Sequence, residues 1–374
     1  MSAWPDYATA RQAAGFSWFV GGTQDALCAL VGISKQQLYL DPKAGIEAYR
    51  RGRPLLREMF GPDVAMPGLS TPGISYGHAN GLGSRLIFPE DGEVGHTHPY
   101  ESLEQGIEAL REPVDFASAG MAPFYLDYQR QLQRAFPGEK VALGFGREGP
   151  ITTAYEMRGE DFFTDIFDDP AGVRRFLQLL TRSILEFHRF RSAANGTAVV
   201  GPRAGGMVDD LASMIPARMF RQLVLPYWEQ YYRGVTTGQR RAHVEDLRPA
   251  QLPFLEEIGL AYYDPSISAK LNPRLISQHC RVPFTWRLGS FHYRGMSARD
   301  VQDFVFQSVA DGASGVHSYV EQSLCNDEGV RKVWAFISAA KQAKDMLDAG
   351  ATRQQVGQCV SPEGRARFWD HWWR

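Results

Sequence analysis

Cysteine is scarce: Cys28, Cys280, Cys325 and Cys359 lie far apart in 374 residues, with no CxxC spacing. A disulfide scaffold is excluded, and reduced thiols in a cytoplasmic protein are expected. Long apolar runs are missing too, since no stretch approaches the ~18 consecutive apolar residues of a spanning helix. The opening Met1-Ser-Ala-Trp-Pro-Asp-Tyr7 lacks the basic and apolar regions of a secretory signal. Charge of one sign is absent as well. Lys and Arg number 40 against 42 Asp and Glu, a net −2, which leaves no electrostatic footprint for nucleic acid or a membrane surface. Three motifs are also wanting. Without a GxxxxGK[ST] loop, a G-x-S-x-G elbow or an H-E-x-x-H helix, phosphate-loop, α/β-hydrolase and zincin chemistries lose their usual signatures.

What is present is an ordinary globular composition, 44% apolar and 22% charged, with aromatics at 12% that can wall a wide pocket. Residues 1–140 read as irregular, with short apolar runs broken by Pro and Gly and a helix over about 43–59 interrupted at Gly52 and Pro54. From Val141 the rhythm changes. Val141–Phe145 and Thr197–Val200 read as strands, as do 240–244, 260–263, 282–286 and 314–320. Helices fall between them: Pro170 to Phe190 with Asp169 as N-cap, Pro216 to Tyr232 kinked at Pro226, then about 249–258, 272–279, 298–311 and 326–348. This alternation predicts α/β architecture, a single (β/α)8 TIM barrel with an irregular N-terminal extension. Its parts are the extension (about 1–140), regular units (about 141–349) and an aromatic tail (350–374). The tail ends Phe368-Trp-Asp-His-Trp-Trp-Arg374 and is expected to pack on the barrel or on the second copy of a homodimer.

Catalytic groups of a parallel barrel sit at the carboxyl ends of strands, where three segments carry reactive side chains. In Arg240-Arg-Ala-His-Val-Glu-Asp246, His243 and Glu245 share strand parity, so both face one cavity and suit a divalent ion such as Zn²⁺. The competing reading has His243 as a hydrogen-bonded core histidine and Glu245 paired with Arg241 or Arg248. In Gly315-Val-His-Ser-Tyr-Val-Glu321, His317, Tyr319 and Glu321 share parity, and His317 or Glu321 completes a three-ligand site. Here the competing reading makes His317 a packed core residue and Cys325 a small hydrophobe. In Met207-Val-Asp-Asp-Leu-Ala-Ser213, Asp209 and Asp210 orient a substrate or hold a proton, unless Asp210 merely caps the next turn. His96-Thr-His98 has the same spacing in a Gly- and Pro-rich region and reads as a loop rather than a metal site.

Several of these words occur in a recognisable order. Gly149-Pro-Ile-Thr-Thr-Ala154 is followed by Arg158-Gly-Glu-Asp161, Asp168-Asp-Pro170, Asp209-Asp-Leu-Ala-Ser-Met-Ile-Pro216 and Phe220 to Tyr227. Strands starting at His243 and ending at Asp264 come next. This order resembles the uroporphyrinogen decarboxylase-like superfamily over roughly residues 24–348. The resemblance implies a single (β/α)8 barrel. Decarboxylases of the superfamily carry Arg-Gln-x-x-Gly-Arg for substrate carboxylates, but here Arg11-Gln-Ala-Ala-Gly15 is followed by Phe16. The closer type is the zinc- and corrinoid-dependent methyltransferase branch, which uses His-x-Cys and a later Cys. His243 matches, Glu245 replaces the first Cys, and Glu321 stands near the last position with His317 and Cys325 as alternatives. The implied function moves a methyl group from a small methoxy or methylamine substrate to the cobalamin corrinoid of a partner protein, with Zn²⁺ on His243, Glu245 and Glu321. Asp209 and Asp210 are the implied catalytic pair, and Arg147, Arg203, Asp264, Arg287 and Tyr319 the expected substrate contacts. The runner-up is a metal-free decarboxylase or lyase anchored by Arg147, Arg203 or Arg287.

Overall fold

The computed structural model describes residues 4–90 and 92–367. Its strands, in chain order, are β1 Ser17–Gly22, β2 Leu86–Ile87, β3 Gly95–His96, β4 Gly205–Val208, β5 Arg240–His243, β6 Leu260–Asp264, β7 Thr285–Leu288 and β8 Gly315–Val320. Regular pairing makes two parallel three-stranded sheets, β1-β8-β7 and β4-β5-β6, besides the antiparallel β2-β3 hairpin. Parallel bridges Gly21–Ala65 and Tyr263–Phe284 extend them, while the expected strand Val141–Phe145 is present only as isolated bridges, Ser70–Ala142 and Ile74–Phe145. Parallel neighbours need crossover connections. The helices Pro253–Glu257, Pro273–His279 and Ala298–Ala310 supply those between β5 and β8. The fold is therefore α/β with small parallel sheets.

Local chemistry explains the helices. Asp169 caps Pro170–Ala194 by accepting from the Gly172 amide, and Val173, Phe176, Leu177, Leu180, Ile184 and Phe187 make one fully buried face. Each such side chain contributes about 1.5–3 kcal/mol of apolar burial. Ser297 and Asp300 form a reciprocal capping box that starts Ala298–Ala310.

Elsewhere the structure departs from the sequence reading. The 43–59 helix is not split: a π-helical turn, Ala48–Gly52, joins Pro42–Glu47 to Arg53–Phe60, with Pro54 just beyond that turn. The 216–232 helix breaks at Val224 rather than kinking at Pro226, which again opens a helix, Leu225–Val235. Thr197–Val200 is not a strand. The strand is Gly205–Val208, where a Cβ on Gly205 would stand 2.5 Å from Thr236 Cγ2. The region taken as irregular contributes β1, which pairs with β8 from Ser17 opposite Gly315 to Gly22 opposite Val320. The tryptophans of the C-terminal tail lie outside the described residues.

A glycine pattern that reading the sequence passed over also finds its reason here. Gly144-Phe-Gly-Arg-Glu-Gly149 matches G-x-G-x-x-G and opens the helix Pro150–Arg158. Its glycines serve backbone contact. A Cβ on Gly144 would lie 2.4 Å from Thr71 O, on Gly146 3.0 Å from Ile74 O, and on Gly149 2.5 Å from Asp209 Cβ. They let the 141–149 segment press against its neighbours on both sides.

Candidate active site

The sheet register builds the site. Val208 pairs with His243 and His243 with Asp264, so the carboxyl ends of β4, β5 and β6 stand side by side. His243 Nδ1 lies 2.9 Å from Asp264 Oδ2. Its Nε2 faces Glu245 Oε1 at 3.6 Å and Asp210 Oδ1 at 3.7 Å. Asp264 is itself oriented: its Oδ1 accepts from the Ser266 amide, and buried Ser266 holds the left-handed φ of 51° that turns this amide toward it. Such a conformation is uncommon for a residue with a Cβ and collects at functional sites. Asp210 also accepts from the Glu245 amide at 2.9 Å, tying the loops after β4 and β5 together.

Electrostatics follow from this crowding. Burial pulls the His243 ring down, but its bonds to Asp264 and Glu245 and the charges of Asp264 and Asp210 outweigh that and raise it to about 10. Burial works against ionised Asp264 and Glu245, yet His243 holds both below the ordinary carboxylate value. Burial lifts Asp210 above its usual value despite His243. At neutral pH the ring is thus an imidazolium, a proton donor among three carboxylates. Since the ring is raised in the folded state, its stabilising contribution is complete below its unfolded value near 6.5. That contribution declines with rising pH and is gone above about 10. Urea midpoints measured from pH 7 to 10 are expected to fall in the wild type and to fall less in His243→Gln; parallel pH curves would refute the paired imidazolium.

His243 and Asp264 line a cavity of about 500 Å³ inside the strands, together with Trp18, Phe19, Tyr262 and Tyr319. A larger hollow of about 880 Å³ opens at the amino-terminal ends, around Trp4, Arg240 and Gly259. It holds the Glu229–Arg240 ion pair and no such proton donor. The smaller cavity is the candidate site.

The other sequence candidates separate. Tyr319 lines the cavity, with Arg287 above its ring at 5.1 Å. Arg287 donates to Glu321 at 3.2 Å, and Ser290 Oγ to the other Glu321 oxygen at 2.6 Å, so Glu321 is held in a pair instead of being offered to an ion. His317 lines the cavity but its Nδ1 meets Thr285 Oγ1 at 3.0 Å, and burial lowers it to about 4, leaving it neutral. Cys325 contacts the Glu321 carbonyl, and burial pushes its thiol up to about 11, far from a thiolate. Asp209 is fully buried, bonded to the Thr152 amide at 2.7 Å and the Trp228 indole at 2.6 Å. It buttresses the site while Asp210 faces it. Arg147 is turned onto Tyr231, and Arg203 is exposed before β4, at the opposite end from His243. His96 and His98 pack edge to face, with His98 Nδ1 on the Glu156 carbonyl.

Zinc was expected on His243, Glu245 and Glu321. Among the described residues no group of three or more His, Cys, Asp or Glu is arranged to hold a metal ion. Arg287 occupies Glu321 and also acts on Glu245, supplying a cation to the carboxylates that were to have bound one. Two further site residues, Glu148 and Glu156, escaped the sequence reading; both are carboxylates buried beside Asp209 and Asp210. Their one sequence signal was position: Glu148 directly precedes Gly149-Pro150, and Glu156 lies on the helix which that turn opens.

Comparison with known proteins places this geometry. The family model described as Uroporphyrinogen decarboxylase (URO-D) matches residues 57–262, more than half of the chain. The chain belongs to the uroporphyrinogen decarboxylase family. That family match spans the Gly149-Pro150 turn, both aspartates after β4, and His243. Among solved structures, a methyltransferase from Methanosarcina mazei is similar with a TM-score of 0.64 and 14% identity, over 90% of this chain and 97% of that one. At that identity the likeness is one of fold. A mutant tryptophan synthase alpha-subunit from Pyrococcus furiosus aligns over 90% of this chain and 98% of its own, at 12% identity and a TM-score of only 0.28. No curated protein matches the sequence. No helix among the described residues is long and apolar enough to cross a membrane.

Proposed function

We propose that this member of the uroporphyrinogen decarboxylase family is a methyltransferase that demethylates a small neutral or cationic substrate of the methoxy or methylamine class, with His243 protonating the departing heteroatom. On this reading the two sheets and the bridged segments are arcs of one closed (β/α)8 barrel, a single domain. The observation that carries the proposal is the His243 imidazolium set between Asp264, Glu245 and Asp210 at the end of an aromatic-walled cavity. As a methyl carbon leaves, the electron pair of the broken bond stays on oxygen or nitrogen. The His243 proton then meets that developing charge. Asp264 fixes the ring through Nδ1, and Trp18, Phe19 and Tyr262 exclude water around the methyl group.

A corrinoid on a partner protein is the acceptor this reading calls for; bound at the mouth, it supplies a two-electron nucleophile for the methyl carbon. The residues present suit such a flat, large group. Phe19 lines the cavity, while Val208, Met214 and Phe291, at or just beyond the strand ends, are likewise exposed and apolar. Decarboxylation of a polycarboxylate fits less well, because Arg287 is neutralised by Glu321 and Arg147 and Arg203 point elsewhere.

The test is demethylation of a panel of methoxy and methylamine compounds with a Co(I) corrinoid as acceptor. Turnover is expected with at least one class, and turnover of a carboxylated substrate alone would overturn the reading. Metal analysis of the purified protein is expected to give far less than one equivalent of zinc. A full equivalent, lost in His243→Ala, would restore the ion that the present donor set does not accommodate.

A further inference from the structure

Alternate residues of a strand point the same way, so the sheet register sorts the cavity wall into layers. Level with His243 stand Val208 and Asp264 on one sheet, and Arg287, His317 and Phe19 on the other. Two residues back along each strand lies a deeper layer. There Gly206 and Tyr262 flank Arg241, and Ser17 and Thr285 flank Gly315. All of these except Gly315 line the cavity of about 500 Å³. Of the deeper layer only Arg241 is charged. It is exposed, its guanidinium carbon lies 5.9 Å from the centre of the Tyr262 ring, and among the described residues no carboxylate pairs with it. Its neighbours are hydroxyls. A Cβ on Gly315 would stand 2.9 Å from Tyr262 Oη and 3.1 Å from Ser17 Oγ, which sets these two groups together. Space is left beside the arginine, because a Cβ on Gly206 would meet no atom within 4 Å.

A guanidinium without a counter-ion in a partly desolvated cavity attracts an anion. Its flat fork of donors matches a carboxylate through two parallel bonds. Nearer the mouth the charge is of the other sign. Asp210, Glu245 and Asp264 outnumber the one imidazole they surround, and the rings of Phe19 and Tyr319, 6.0 Å apart, line the same cavity. Carboxylates and aromatic faces together hold a methylated ammonium. Arg287 brings no free cation there, since Glu321 pairs with it. The cavity is therefore polarised, negative toward the mouth and positive at the floor. Two strand residues, about 7 Å, separate the Cα atoms that carry the two ends.

We propose that the cavity floor is a carboxylate subsite built on Arg241, and that the substrate is a zwitterionic N-methylated amino acid. Its methylammonium end lies among the carboxylates around His243, and its carboxylate lies on Arg241 with the Ser17 and Tyr262 hydroxyls as further donors. Such a molecule is neutral overall and belongs to the methylamine class. Its carboxylate is an anchor and stays on the demethylated product. One arginine suits one anionic group, so the floor gives no hold for a polycarboxylate. The inference rests on the function above only for the methylated end, and its test reads binding instead of turnover.

Titration calorimetry of the full chain compares probes of one shape. They are N,N,N-trimethylglycine, ethyltrimethylammonium, which lacks the carboxylate, and 3,3-dimethylbutanoate, which lacks the nitrogen charge. The wild type is expected to bind the zwitterion about 10- to 100-fold more tightly than either of the others. Arg241→Met abolishes the preference over ethyltrimethylammonium and binds that cation no more weakly than the wild type does. A zwitterion that does not bind, or binds no better than the cation, overturns the subsite, as does an Arg241→Met variant that keeps the preference. Equal binding of 3,3-dimethylbutanoate overturns the zwitterion. Should Arg241→Met fail to fold, Gly206→Val fills the open space beside an unaltered arginine and is expected to cut the preference about tenfold; an undiminished preference again overturns the subsite. The two readings fail separately. Demethylation of simple methylamines without preferred binding of the zwitterion removes this inference alone, and tight zwitterion binding without demethylation of any probe removes the function alone.

Discussion

His243→Gln is expected to lower kcat/KM for demethylation by about 10²- to 10⁴-fold, the usual worth of a positioned proton donor. Glutamine keeps much of the polar outline and can still donate to Asp264. It carries no transferable proton, and it leaves Asp210, Glu245 and Asp264 without the charge they share. The loss should therefore be larger in kcat than in KM, since what disappears is an interaction made as the heteroatom becomes negative. The pH profile provides a second reading. The donor is charged up to about 10, so wild-type activity should hold through neutrality and fall above that value. Asp264→Asn removes one raising influence, and its alkaline limb should move to lower pH. A His243→Gln variant with wild-type turnover would remove the ring from the chemistry, and an Asp264→Asn profile that stays in place would detach Asp264 from it.

The strands from residue 240 on and the long helices were legible because their cues are local. Periodic apolar positions and caps such as Asp169 and Ser297 depend on a few neighbouring residues. Four strands were missed; beside the two-residue β2 and β3, the other two, β1 and β4, depend on distant residues. Trp18-Phe-Val-Gly-Gly22 shows no alternation and ends in paired glycines, yet it is a strand because β8 and Ala65 flank it. Gly205-Gly206-Met207-Val208 has weak strand propensity, and its glycine is required by Thr236, 31 positions on by residue number.

The site divides the same way. Parity alone put His243 and Glu245 together, and the structure has them 3.6 Å apart. Parity could not show that Arg287, one strand away, would claim Glu321, or that Asp264 would hold the imidazole. Nor could it tell Asp209 from Asp210, which face opposite ways although adjacent in sequence. Cross-strand register decides all three, and one sequence does not contain it.

Asp209→Ala is expected to cost about 3–5 kcal/mol of stability, the largest effect of any single change at this site, with activity falling as well. The carboxylate reaches from the end of β4 to the start of another helix. Pro150–Arg158 has no side-chain cap of its own, since Gly149 stands at its N-cap. Asp209 Oδ1 takes the Thr152 amide, one of the free donors of that first turn, and Thr152 Oγ1 in return accepts from the Leu211 amide. The other oxygen holds the indole of Trp228, a fully buried side chain from Leu225–Val235. Alanine would leave both donors unsatisfied in a dry interior and open space beside Gly149. Burial raises Asp209 to about 6, so it is largely ionised at neutral pH, when its bonds to Thr152 and Trp228 are strongest. Asparagine keeps one acceptor and should cost roughly half as much. Because Asp210 follows directly, loosening Asp209 also releases the carboxylate that faces His243. Urea unfolding of the two variants at pH 7.5 tests the argument. Equal midpoints for wild type and Asp209→Ala would mean that neither the distant cap nor the Trp228 bond bears on the fold.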